Sequence, residues 1–353
     1  MSRFLHKRYK TLEAYTPGEQ PQDMEYIKLN TNESPYPPSP EVIAAISKAE
    51  VSKLPLYPDP ECKVLRDSLA NRFGTKRENV FVSNGSDDIL NFAFMAFAGM
   101  GGKVTFPKIS YGFYQVFAEL HGIHFCGVPL KEDFSIDIFA YQKNDSMVVI
   151  ANPNAPTGLM LSVAEIEEIV KSNPDHVVLV DEAYIDFGGT SCMPLVEKYD
   201  NLLVVQTFSK SRSLAGGRLG FAVANQEIIR DLEKIKYSTN PYAINRLTLL
   251  AGTAAVESDS YYMDRCQEIV RTREYTKAEL KSAGFTVTDS YANFLFVKKD
   301  GISGEEIYKK LRENGILVRH FTKESICDYN RVTIGTQKQM ETFLSVIKKI
   351  CEV

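Results

Sequence analysis

"HVVLVDEAY" (176–184) and "LLVVQTFS" (202–209) are two apolar, β-branched runs, and each ends in polar or charged residues. An unbroken apolar run without alternation is what a strand covered on both faces requires, and such strands belong to parallel sheets whose helices pack above and below. Working outward, the pattern repeats in "NVFVSNG" (79–85), "KVTFP" (103–107), "IHFCGVPL" (123–130) and "MVVIANP" (147–153). Helical stretches separate these runs: "DDILNFAFMAFA" (87–98), "YGFYQVFAELHG" (111–122) and "SVAEIEEIVKSN" (162–173), the last opened by a serine cap. Strand alternating with helix predicts an α/β fold built on a mostly parallel sheet.

Past residue 240 the pattern turns helical through "INRLTLLAGTAAVES" (244–258) and a long charged helix near 260–283. The tail then mixes short strands, "FTVTDSYANFLFVKK", "ILVRHF" and "NRVTIGT", with the helices "GEEIYKKLRENG" and "METFLSVIKKICE". That is a smaller α+β unit, completed by the N-terminal arm. The expected division is residues 1–40 as arm and part of the small domain, 41–260 as the large domain and 261–353 as the small C-terminal domain. The Pro- and Asn-rich "LNTNESPYPPSPE" (29–41) leads into a helix at Pro40.

Composition narrows the function. The 353 residues carry 41 Lys and Arg against 45 Asp and Glu, a net charge of -4, so no basic field exists to draw the chain to nucleic acid or an anionic membrane. No run of eighteen apolar residues occurs, and the basic residues near Met1 are not followed by an apolar segment, which predicts a cytoplasmic protein. Six scattered cysteines without a CxxC pair predict reduced, mostly buried thiols and no metal site. The glycines of "GMGGK" (99–103) lack Walker spacing and read as a turn.

Ligands of open α/β sheets bind at the carboxyl ends of the strands. Gly85, Ser86 and Asp87 end one run, Asn152 to Asn154 a second, Asp181 to Tyr184 a third, and Ser209 and Lys210 a fourth. A lysine there is partly desolvated, which favours its neutral, nucleophilic amine and suits attack on an aldehyde. Asp181 could simply cap a helix, but no helical pattern begins in "EAYIDFGG", and a buried carboxylate calls for a cation such as a protonated ring nitrogen. Ser86 and Asp87 open a helix directly after Gly85 and offer free N–H groups, while Ser209 and Arg218 flank "LAGG" with a hydroxyl and a guanidinium, so this group suits a phosphate. An imine-forming amine, an acid for a ring nitrogen and an anion cradle together describe a site for pyridoxal phosphate. A Ser-Lys hydrolase would use Ser209 and Lys210 alone and leave Asp181, Tyr184 and Arg218 without a task.

The stretches "KLNTNESPY", "LYPDPEC", "NGSDDIL", "NPNAPTG", "VDEAYIDF", "TFSKSRSLAGGRLGF", "YANFLFVK", "GILVRHF" and "NRVTIGT" resemble, almost end to end and in order, those of the histidinol-phosphate aminotransferases. These belong to the aspartate aminotransferase-like group of fold type I pyridoxal phosphate enzymes. The resemblance implies amino transfer between histidinol phosphate and 2-oxoglutarate or glutamate in histidine biosynthesis, with an aromatic amino acid aminotransferase or a threonine-phosphate decarboxylase as alternatives. It makes Lys210 the Schiff-base lysine, Asp181 the partner of the pyridine nitrogen, Asn154 and Tyr184 the hydrogen-bond partners of the phenolic oxygen, and Tyr111 the residue stacked on the ring. Gly85, Ser86, Asp87, Ser209 and Arg218 would surround the phosphate, with Asp87 placing backbone N–H groups. Tyr57 would reach the phosphate of a neighbouring subunit, which implies a homodimer with shared active sites. Tyr15, Asn32, Arg319 and Arg331 would contact the substrate. Gly217 and Ala243 depart from the residues common in the group, and both lie near the pocket.

Overall fold

A computed structural model describes residue 5 and residues 7–352. Of the N-terminal arm, residues 1–4 and 6 lie outside the described residues, as does residue 353 of the C-terminal unit. The first strand, β1 (Ile27–Lys28), lies in the arm. It is followed by α1 (Pro40–Ala45), which starts with Pro40 behind a Ser39 cap, and by α2 (Lys48–Val51) and α3 (Lys63–Phe73). The chain then alternates through β2 (Val80–Ser83), α4 (Ser86–Ala93), β3 (Lys103–Pro107), α5 (Phe113–His121), β4 (His124–Val128), β5 (Met147–Ala151) and α6 (Val163–Ser172). Strands β6 (Val178–Asp181), β7 (Leu202–Thr207) and β8 (Gly220–Ala224) complete one sheet of seven strands in the order β2-β8-β7-β6-β5-β3-β4.

Every pairing from β7 to β4 is parallel, and β8 runs antiparallel to both β7 and β2. The sheet is therefore mostly parallel, as the apolar runs require. Strands β2, β5, β6, β7 and β8 are buried throughout, while the edge strand β4 is largely exposed. Val178, Val180, Val204 and Ile150 point into a cluster with the residues of α3, α6 and α8, while Leu179, Leu203, Val205 and Val149 join those of α4, α5 and α7. Here α7 is Gln226–Thr239 and α8 is Arg246–Glu257. The capping box at Ser162 and Glu165 closes the start of α6, a device contributing on the order of 1 kcal/mol.

The long helix α9 (Asp259–Ser282) leads to a second layer. It contains β9 (Phe285–Val287), β10 (Phe294–Lys299), α10 (Gly304–Glu313), β11 (Ile316–Leu317), β12 (Arg319–His320), β13 (Asn330–Thr333) and α11 (Gln337–Ile350). Four of its strands form an antiparallel sheet in the order β12-β13-β10-β9, and β11 pairs in parallel with β1 of the arm. Among the described residues no helix is long and apolar enough to cross a membrane.

The patterns read from the sequence assign no element to 221–239, where the structure has the strand β8 and the helix α7. The loop from β7 returns to the sheet without a crossover helix, so the α/β alternation that exposes the other strands is broken there. Arg319 and Arg331 lie within the short strands expected there, as direct partners across β12 and β13. All six cysteines are free, but only Cys62, Cys192 and Cys266 are buried; Cys126 is exposed and Cys327 and Cys351 are partly covered.

Candidate active site

Because β2, β5, β6 and β7 run in one direction, their carboxyl ends open on one edge of the sheet, and the reversed β8 begins there. Arg218, just before Gly220, thus arrives at the same edge as Ser86, Asp181 and Lys210. A cavity of about 460 Å³ lies at this edge, within the usual range for a small-molecule site. Its walls include Ser86, Asp87, Tyr111, Asp181, Tyr184, Ser209, Lys210 and Arg218. From the arm, Gln20, Thr31 and Glu33 also reach it.

At one end the groups suit an anion. Helix α4 starts behind Gly85 with no side-chain cap, so its first N–H groups remain available. Gly85 has φ +84, and a Cβ there would lie 2.8 Å from the Arg218 guanidinium. At Gly220 a Cβ would lie 2.4 Å from the Ser86 nitrogen, so only glycine lets β8 pass this close to the helix start. Arg218 donates to Ser209 Oγ at 3.3 Å and pairs with Asp87 Oδ2 at 3.0 Å. Asp87 Oδ1 accepts from the Tyr111 hydroxyl at 2.8 Å. The carboxylate of Asp87 therefore fixes both Arg218 and the ring of Tyr111, in addition to standing in the first turn of α4.

At the other end lie the ionisable groups. Asp181, 5% exposed at the end of β6, accepts from the Tyr114 hydroxyl at 2.7 Å and from the Ala183 nitrogen at 3.2 Å. Burial dominates these bonds and pushes its pKa up to about 6. Lys210 is part-buried, donates to the Thr31 carbonyl at 3.3 Å and sits 5.8 Å from the centroid of the Tyr184 ring. Desolvation, helped by the positive charge of Arg331, brings its pKa down to about 8. An acid held above its usual range beside a lysine held below it marks a site built for proton transfer.

The other expected residues fall unevenly. The Tyr184 hydroxyl accepts from Asn32 Nδ2 at 2.9 Å. Tyr15 stacks on Phe113 at 4.2 Å and packs edge-on against Tyr111, so it stands at the mouth. Arg319 donates to the carbonyls of Thr16 and Pro17, and Arg331 to that of Asn30, so both hold the arm. Asn154 is not brought to the cavity: its Oδ1 accepts from Ser110, and its Nδ2 donates to the Ile109 carbonyl and to Thr157. The neighbouring Ala155 lines the wall instead. Tyr57 is 78% exposed, stacks on Tyr242 and does not line the cavity. Gly217 does not line the cavity; its carbonyl accepts from Thr248. Tyr114 escaped the sequence reading because it lies on an apolar helix face, where a tyrosine looks like core.

The sequence profile of the family "Aminotransferase class I and II" matches residues 24–347. The chain belongs to this family. A histidinol-phosphate aminotransferase of Brachyspira hyodysenteriae is 51% identical over 351 residues, covering 99% of both chains. One from Clostridium acetobutylicum is 48% identical over 349 residues, again covering 99% of both. Among solved structures, histidinol-phosphate aminotransferase of Sinorhizobium meliloti in complex with pyridoxal-5'-phosphate shares the fold, with a TM-score of 0.85, 21% identity and coverage of 93% of this chain and 92% of that one. The fold is the fold type I architecture of the aspartate aminotransferase-like enzymes. The cavity fits this cofactor chemically: an anion cradle at Ser86, Ser209 and Arg218, a buried carboxyl at Asp181 that makes no salt bridge among the described residues, and the depressed amine of Lys210.

Proposed function

We propose that the protein is a pyridoxal phosphate-dependent aminotransferase that moves an amino group between histidinol phosphate and 2-oxoglutarate or glutamate, in histidine biosynthesis. Full-length identity of 51% to a histidinol-phosphate aminotransferase carries the choice of substrate. Pyridoxal phosphate, when bound, supplies an aldehyde that accepts the amino group and a ring that draws electrons from the substrate carbon.

The chain's own groups then have defined tasks. Lys210 Nζ would hold the aldehyde and, when free, would carry the proton taken from the substrate carbon. Asp181 would keep the ring nitrogen protonated, because ionising this buried carboxyl is favoured only beside a cation. The Ser86 N–H, Ser209 and Arg218 would hold the phosphate, Tyr111 would lie against the ring and Tyr184 would bond the phenolic oxygen. Arg319 and Arg331 take the phosphate of one substrate and a carboxylate of the other, with Tyr15 closing the mouth.

A homodimer in the cytoplasm is part of this reading. In support, Tyr57 is exposed and adjoins Pro58, which lines an apolar cavity with Cys62, Leu249 and Leu250. The functional test is a half-reaction screen of amino donors, following loss of the visible band of the bound cofactor. Histidinol phosphate and glutamate should discharge the band fastest. A band that responds to aromatic amino acids but not to histidinol phosphate would overturn the substrate assignment.

A further inference from the structure

Asn32 is 1% exposed and has a left-handed backbone, with φ 55, a conformation that asparagine tolerates better than most residues. It stands where three parts of the chain meet. Its N–H donates to Thr333 Oγ1 at 3.0 Å, and its carbonyl accepts from Asn293 Nδ2 at 3.0 Å. Its Oδ1 accepts from Thr333 Oγ1 at 2.9 Å, and its Nδ2 donates to Tyr184 Oη at 2.9 Å. The sequence reading had placed this side chain on the substrate; in the fold it is bound to Thr333 and Tyr184.

The direction of these bonds follows from counting protons. Thr333 Oγ1 accepts from the Asn32 backbone, so its one proton points to the Asn32 side chain, and the atom it meets is the amide oxygen. The amide nitrogen therefore faces Tyr184, whose oxygen accepts. The tyrosine's own proton is left free to point into the cavity that its ring lines. Both protons of the Asn154 Nδ2 are directed instead to Ile109 and Thr157.

We propose that Asn32 is a positioning residue that sets Tyr184 as the proton donor to the phenolic oxygen of the cofactor. The inference rests on the cofactor assignment above. Through Thr333 on β13 and Asn32 in the arm, the small sheet and the arm fix the polarity of a hydroxyl at the end of β6. A donated hydrogen bond favours the ionised phenolic oxygen and lowers the pH at which the bound cofactor changes its visible spectrum.

The test is a pH titration of that visible band in the intact enzyme loaded with pyridoxal phosphate. Asn32→Asp keeps the size of the side chain and the acceptor for Thr333 but turns a donor to Tyr184 into an acceptor, which takes the tyrosine proton away from the cavity. The midpoint should rise by about one pH unit. In a Tyr184→Phe background the same substitution should add little. A midpoint that does not move, or an equal rise in both backgrounds, overturns the proposal, because the effect would then be absent or would bypass Tyr184. Thr333→Val guards against a misfolded Asn32 variant: it frees the amide to turn over and should raise the midpoint in the same direction, and no rise would count against the proposal. A wild-type protein with no titrating band would sink the cofactor assignment itself, which is a separate outcome.

Discussion

Arg319 and Arg331 are direct partners across the antiparallel pair of β12 and β13, so their side chains leave the sheet on the same face, and the charge of Arg319 is felt at Arg331. Like charges in that position repel, and among the described residues the contacts that hold them are the carbonyls of Thr16, Pro17 and Asn30 rather than carboxylates. Arg331 also lies 5.4 Å from the centroid of Phe294, its Nε makes no hydrogen bond, and burial brings its pKa down. An anionic substrate would relieve this arrangement. Arg331→Ala should therefore weaken the half-reaction with histidinol phosphate by roughly ten- to a hundredfold, the range of a lost charge-assisted contact. Glutamate should suffer similarly, and an amine lacking the phosphate should be affected little. Equal losses for charged and uncharged amines would assign Arg331 to the fold instead.

What was legible in the sequence was burial and order. The runs 176–184 and 202–209 announce strands covered on both faces, and the polar residues that end them do converge on one cavity. What was not legible was pairing at a distance. Asn154 is turned from the cavity by Ile109 and Ser110, about forty-five positions earlier, and no local pattern encodes that bond. The opposition of Arg319 and Arg331 depends on strand register, which periodicity does not reveal. Tyr114 reads as core until Asp181 is seen beside it.

Lys210 gives a pH prediction. Its pKa is lowered to about 8, first by desolvation and then by Arg331, so the neutral amine becomes the main form only above that pH. Covalent capture of pyridoxal phosphate by the cofactor-free enzyme should accelerate about tenfold per pH unit below this value and level off above it. Arg331→Ala removes a repelling charge and should move the midpoint upward. Stopped-flow absorbance provides the rates. Lys210→Ala should show no covalent capture, and borohydride should fix no label at that position.

Asp181 gives a stability prediction for the cofactor-free protein and an activity prediction for the loaded enzyme. Its folded pKa, about 6, lies above the ordinary 3.8, so in the cofactor-free protein the group favours folding at low pH and loses that contribution as pH rises through about 6. The gap corresponds to roughly 3 kcal/mol at about 1.4 kcal/mol per pH unit. Asp181→Asn should therefore raise the Tm of the cofactor-free protein at pH 8 and change it little at pH 4. In the loaded enzyme the same variant should retain cofactor through its phosphate contacts but turn over about a thousandfold more slowly, because a charge pair of roughly 4 kcal/mol is lost. Near-normal turnover would show that the ring nitrogen does not need this acid.

Tyr57 tests whether active sites are shared. Its ring is 78% exposed and stacked at 4.5 Å on Tyr242, which fixes it in place while leaving it outside its own protomer's cavity. Ile43, Leu54, Leu56 and Val64, near Tyr57 in the chain, are also exposed apolar side chains. If a second copy covers these residues and receives Tyr57 at its phosphate, Tyr57→Ala should weaken cofactor binding by ten- to a hundredfold, the value of about one lost hydrogen bond with its packing. Lys210→Ala should be inactive at any cofactor concentration. Mixing the two variants is the decisive experiment. In a mixed dimer one site combines the intact Lys210 of the Tyr57→Ala chain with the intact Tyr57 of the other, so random reassortment should restore about a quarter of the wild-type sites. The recovery should appear at cofactor concentrations too low to load Tyr57→Ala alone. If differently tagged chains are shown to have exchanged and no activity returns, each protomer holds its cofactor without help from the other.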